Sequence, residues 1–246
     1  MSSRTQLYRE VYRLIEQKLC ALGMRKYDQG IYGRDLTADA RGMVGLNVAT
    51  KYGFSINPLI GVQYLPLERV LGELKGREFH PTKCGNSITK AIGYLGLAHR
   101  FREWDFEEGR DNVATVDEMA GEITTIGFRY MEENCTLEKV CERIAVDRHF
   151  MMGNDVYQLP VGYMMLGRFD DAERIVRKHL ADLVAFRPPT IEETEARLGE
   201  RFTPRDLEVL AKMEHKPVDD DYRRFAERFF RRLEDERSQA HGLVGK

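Results

Sequence analysis

Residues Met43 to Tyr64 constrain the fold more than any other stretch. Val44, Leu46 and Val48 alternate with Gly45, Asn47 and Ala49; past Tyr52-Gly53-Phe54, Ile56, Ile60, Val62 and Tyr64 resume the alternation. A period of two on both sides of a glycine-centred turn predicts a β-hairpin with one buried face. The reverse face, Gly45, Asn47, Ala49, Asn57, Gly61 and Gln63, is small or amide-bearing throughout. Glycine in a strand usually marks close backbone approach, so a helix packed tightly on this face is the ordinary reading. The other reading is that the face stays open to bind something. Pro58 has no amide proton to give to a ladder and predicts an edge or a bulge.

The flanking segments supply the rest of a sheet and its cover. Leu7, Val11, Leu14, Ile15, Leu19 and Leu22 recur at helical spacing, with Ser3 and Gln6 as a capping box and Gly23 as the stop. Gly30 to Leu36 is a short strand. Pro66 opens a helix to Lys75 that Gly76 closes. Ile88–Leu97 and Arg100–Phe106 read as two more strands paired with each other, with a bulge near Arg102 where Phe101 falls out of phase with Trp104. Thr115 with Glu118 begins a helix to Tyr130, and Thr136 another to Ala145. Five strands set between helices predict an α+β fold over residues 1–150, with a largely antiparallel five-stranded sheet and flanking helices.

Beyond residue 150 the strand signal ends, and residues 151–246 read as an all-helical part. Tyr157 to Phe186 forms a helix pair broken at Gly167, and Pro188-Pro189 is the candidate linker. Thr190 with Glu193, and Thr203-Pro204 with Asp206, start two further helices. The last helix begins near Asp220 and carries Tyr222, Phe225, Phe229 and Leu233 on one stripe that must dock on something.

Charge and cysteine content exclude some functions. A net charge of -2 argues against a dedicated nucleic-acid binder. No apolar run approaches a bilayer span, and Met1-Ser2-Ser3-Arg4 leads into an amphipathic helix, so the chain is expected in the cytosol and off the membrane. Cys20, Cys84, Cys135 and Cys141 form no C-x-x-C pair and have no histidine at zinc-finger spacing; free thiols are expected, with no disulfide, metal or cofactor.

Candidate chemistry is sparse. Glu103 and Asp105 beside Arg102 would suit a metal-dependent hydrolase or nuclease, with Arg102 on an oxyanion or phosphate; a solvated strand end with internal ion pairs is the plainer reading. His80 and Cys84 share a loop, as a thiolate pair would, and His149 and Asp155 flank Met151-Met152-Gly153-Asn154, but neither arrangement has the specificity of a motif. Arg223, Arg224, Arg228, Arg231 and Arg232 are interspersed with acids, which suits a charged helix face better than a phosphate site. The sequence contains no G-x-G-x-x-G or Walker pattern, and neither G-x-S-x-G nor H-E-x-x-H.

The order of features over residues 1–145 resembles a bacterial family of uncharacterised domains. The resemblance rests on Leu22-Gly23-Met24-Arg25-Lys26 ending the first helix, on Ile31-Tyr32-Gly33-Arg34, on the long hairpin, and on Ile92-Gly93-Tyr94-Leu95 with Arg102-Glu103-Trp104-Asp105-Phe106. Members look like immunity or accessory proteins encoded near toxins and defence genes, which implies a protein partner and brings no established catalytic residues. The leading expectation is therefore a non-enzymatic protein binder using Arg34, Asn47, Asn57, Gly61 and Gln63. The alternative is the hydrolase or nuclease at Arg102, Glu103 and Asp105.

Overall fold

A computed structural model describes residues 3–51, 53–82, 85–147, 155–185, 205 and 220–244. The hairpin forms as two long strands, β3 (Ala40–Ala49) and β4 (Phe54–Tyr64), in unbroken antiparallel register from Ala40↔Tyr64 to Ala49↔Ser55. Strand β2 (Ile31–Asp35) lies on β3, and β1 (Arg25–Asp28) on β2. The other edge of β4 carries β5 (Ile88–Ala91) and β6 (Trp104–Phe106), and every pairing is antiparallel.

The sheet has six strands instead of the expected five. The addition is β1, whose Arg-Lys-Tyr-Asp is mostly exposed and lacks the alternation that marks a half-buried strand; charge is ordinary on an edge. The expected pairing of Ile88–Leu97 with Arg100–Phe106 does not form. Each segment contributes only a short strand, and both strands pair with β4, one at Leu59–Val62 and the other at Phe54–Ile56. Between them the chain leaves the sheet through a 3-10 turn at Ile92–Tyr94 and a loop, so Phe101 lies outside any strand and no bulge exists at Arg102. Gly93 permits this exit, because a side chain there would meet the Arg100 carbonyl.

Pro58 falls in the gap between those two pairings. Leu46 N donates to Gly30 O on the β2 side, so the Leu46–Pro58 pair is not hydrogen-bonded to each other. The missing proline N–H therefore points at the stretch of β4 that neither β5 nor β6 covers.

One face of the sheet is the core. Tyr32, Val44, Ile56, Ile60, Val62, Trp104 and Phe106 are buried there. They are covered by α1 (Ser3–Ala21), α3 (Asn112–Glu122) and α4 (Phe128–Glu133), which contribute Val11, Ile15, Met119 and Met131. The start of α3 differs from expectation: Asp111 Oδ1 accepts from Ala114 N and is the cap, while Thr115 lies inside the helix with its hydroxyl on Asp111 O. A π turn, Ile123–Gly127, joins α3 to α4.

The helix opened by Pro66, α2 (Leu65–Lys75), ends at Gly76 in the left-handed conformation. Thr136 caps α5 (Leu137–Val146) through Lys139 N. Then follow α6 (Asp155–Met165), α7 (Phe169–Ala185) and α8 (Asp220–Val244). The α8 stripe is buried as its spacing requires: Tyr222, Phe225, Phe229 and Leu233 are each at most 1% exposed. It packs on α2, α6 and α7, with Tyr157 edge-on to Tyr222 and Phe225. Arg228 Nη1 donates to Leu74 O and so satisfies a carbonyl at the end of α2. No helix among the described residues is long and apolar enough to cross a membrane. The expected linker at Pro188-Pro189 and the two helices after it lie outside the described residues.

Candidate functional site

The sheet-face residues expected to bind a partner do not share one open surface. Opposed residues of an antiparallel pair point to the same side, so Asn47, Asn57, Gly61 and Gln63 lie on the reverse face, while Arg34, opposite Gly42, lies on the helix-covered face. Arg34 stacks over Phe128 at 4.4 Å and pairs with Glu132 of α4 at 3.5 Å. Of these four reverse-face residues only Asn47 is exposed. Gln63 is 1% exposed, its Oε1 accepting from Arg41 and its Nε2 donating to Gly85 O. Asn57 is buried beside the gap in the β4 edge, and its Oδ1 has no partner. Gly61 faces its own chain: an added Cβ would lie 2.7 Å from Ile88 O and 2.8 Å from Asn86 Nδ2. Close approach is thus the reason for this glycine, and the approaching element is the chain entering β5, not a helix.

The acidic alternative separates in the same way. Glu103 and Asp105 are exposed on the reverse face, Glu103 accepting from Ser55 Oγ at 3.0 Å. Arg102 belongs to the opposite face, above the Trp104 ring at 4.8 Å, and its guanidinium is bonded to Glu118 and Glu122 of α3. Among the described residues no three His, Cys, Asp or Glu side chains group closely enough to hold a metal ion. His80 is half-exposed and 3.6 Å from Glu78; Cys84 and His149 lie outside the described residues. Several α8 arginines are engaged: Arg224 with Asp221, Arg232 with Glu236, and Arg237 with Asp170 and Glu173 of α7.

Two features went unread in the sequence. The first is the loop between β5 and β6. Leu97 is fully exposed and Phe101 is 55% exposed, yet the backbone around them is tied. His99 N donates to Gly96 O, Arg100 N donates to Gly93 O, and His99 Nδ1 lies 2.9 Å from Tyr94 O. Alternation had assigned these side chains to strands, which concealed their exposure.

The second is a buried polar group where α2, β5 and α6 meet. Glu68 is 7% exposed, Ser87 wholly buried and Gln158 5% exposed. Ser87 Oγ donates to Glu68 Oε1 at 2.8 Å and accepts from Tyr64 N at 2.9 Å; Gln158 Nε2 donates to the same Glu68 oxygen at 3.2 Å. Burial pushes the Glu68 carboxyl above its usual range, and its two hydrogen bonds only partly offset that. The available signal was a carboxylate on the apolar stripe Leu67–Leu71–Leu74 of a helix. Comparison with family models, with curated proteins and with solved structures gives no match.

Proposed function

We propose that this chain is a non-enzymatic cytosolic module that binds another protein, in the immunity or defence-accessory role that the family resemblance implies. The observation that carries the reading is the ordered display of Leu97 and Phe101. Large apolar side chains held clear of the core by a tied backbone are what a partner pocket takes as anchors. Because the loop is tied before binding, less conformational entropy is lost when a partner seats on it. Asn47, the exposed amide of the hairpin, is a second contact consistent with the same role.

The test is capture of partners from cells of the source organism by the full chain and by a Leu97→Asp, Phe101→Asp double variant. Both side chains are solvent-exposed, so the variant keeps the wild-type circular dichroism spectrum and urea midpoint. It is expected to lose the specific partner. Recovery of the same partner at the same affinity refutes the loop as anchor. A metal-dependent hydrolysis abolished by Asp105→Ala and kept by the loop variant would favour the enzyme.

A further inference from the structure

Independently of the loop, we propose that the cavity between α2, residues 77–80, residues 85–86 and α6 binds a small two-ended ligand, its amine on Glu68 and its carboxylate or phosphate on Lys75 and Arg77. The cavity holds about 290 Å³ and is lined by these three residues together with Asn86 and Gln158. That is room for a compact molecule and too little for a peptide chain.

Hydrogen-bond accounting defines the inner end. Gln158 Nε2 faces two acceptors, Glu68 Oε1 at 3.2 Å and Asn86 O at 3.5 Å, which fixes the orientation of the amide. Gln158 Oε1 is then buried without a partner. Glu68 Oε1 already accepts two bonds, and its Oε2 accepts none from the described residues. Gln158 Oε1 is thus a buried acceptor next to the carboxylate that its own amide nitrogen bonds, and a donor group on a ligand would satisfy it. An ammonium group meets that need and favours the charged form of Glu68 against the opposing effect of burial.

The outer end has the opposite sign. Lys75 is held over the Tyr157 ring at 3.8 Å, and Arg77 is exposed beside it. Among the described residues Arg77 forms no ion pair, while the nearby Glu78 is directed at His80. Glu68 and Lys75 leave α2 two helical turns apart, about 10 Å along its axis, although the Lys75 charge still reaches Glu68, and a ligand that spans both carries its charges several bonds apart. An ω-amino acid or an aminoalkyl phosphate fits that spacing better than an α-amino acid.

Isothermal titration of the full chain with 4-aminobutanoate and with phosphoethanolamine tests this, with propylamine and butanoate as one-ended controls and glycine as the short one. Saturable binding of at least one two-ended probe is expected, with each control weaker by roughly ten-fold or more. Glu68→Gln and Arg77→Gln should each weaken it by a similar factor. Glu68→Gln preserves shape and removes a buried charge, so it stays folded, and its urea midpoint verifies this. Absence of saturation by either two-ended probe up to about 10 mM overturns the proposal. Equal binding of a one-ended control, or affinity unchanged in Glu68→Gln, overturns it as well.

Discussion

Replacing Gly61 by alanine puts a methyl group 2.7 Å from the Ile88 carbonyl oxygen and 2.8 Å from Asn86 Nδ2. The Asn86 amide can swing aside; the carbonyl cannot, since it belongs to the residue that begins the β4–β5 ladder opposite Val62. An ordinary carbon–oxygen contact is about 3.3 Å, so the two strands must part by roughly 0.6 Å at that point. Overpacking of this kind costs about 1–3 kcal/mol. The alanine recovers about 0.4–1 kcal/mol by restricting the unfolded chain, leaving a net loss of roughly 1–2 kcal/mol. Gly45 lies on the same face of the same hairpin and serves as the control. Its added Cβ would meet only Leu59 Cβ, at an unstrained 3.8 Å. Gly45→Ala should therefore be neutral or stabilising by up to about 1 kcal/mol. Urea unfolding followed by circular dichroism separates the two, with unchanged m-values confirming that only stability moved. Equal midpoints for the two variants would refute the close-approach account and leave Gly61 on an open face.

Two further outcomes are expected. Burial raises the Glu68 pKa from its ordinary 4.5, so the folded protein holds that proton more tightly than the unfolded chain does. The resulting stabilisation is complete below the unfolded pKa and is lost as pH rises through the folded one. Urea midpoints of wild type and Glu68→Gln should accordingly agree near about pH 4 and diverge in favour of the variant as pH rises; a gap that closes with rising pH refutes the assignment. Burial also pushes the Cys141 thiol up to about 12, whereas Cys20 is exposed. Iodoacetamide at about pH 8 should alkylate Cys20 in the native protein and reach Cys141 only with denaturant, as peptide mass mapping will report.

The parts of the fold legible in the sequence were those whose periodicity is imposed by a single buried face. Helices α1, α2 and α8 each place one side against the core and the other toward water, and their residues record it; the hairpin was legible from the alternation of its core face, although β4 is buried on its other face as well. Ile88 to Phe106 misled because its apolar residues alternate for two unrelated reasons. Ile88 and Trp104 fill the core, but Leu97 and Phe101 stand in solvent, and hydrophobicity alone does not distinguish them. The reverse face misled in another way: its glycines and amides fit both a binding surface and a tight fold-back, and choosing between them needs the placement of Asn86 and Ile88. Arg102 was grouped with its neighbours Glu103 and Asp105, although adjacent side chains of an extended segment point to opposite faces, and Arg34 was grouped with the hairpin's reverse face, although its register opposite Gly42 puts it on the other. Glu68 was legible in principle, as a charge on a buried helical stripe. Its partners Ser87 and Gln158 were not, since they are brought to it only by tertiary structure.

The bond from Arg228 to the carbonyl of Leu74 bridges 154 positions of the chain. That separation sets an order of events during synthesis. The helix α2 emerges together with the sheet, but the aromatic stripe that covers part of it follows about 150 residues later. At about 5–20 residues per second, α2 waits roughly ten to thirty seconds for that cover. Throughout that interval the nascent chain presents an apolar helix flank beside a paired sheet, a form that other nascent chains can meet and that folding helpers recognise. Arrival of α8, more than formation of the hairpin, is therefore the event that withdraws this surface from solution.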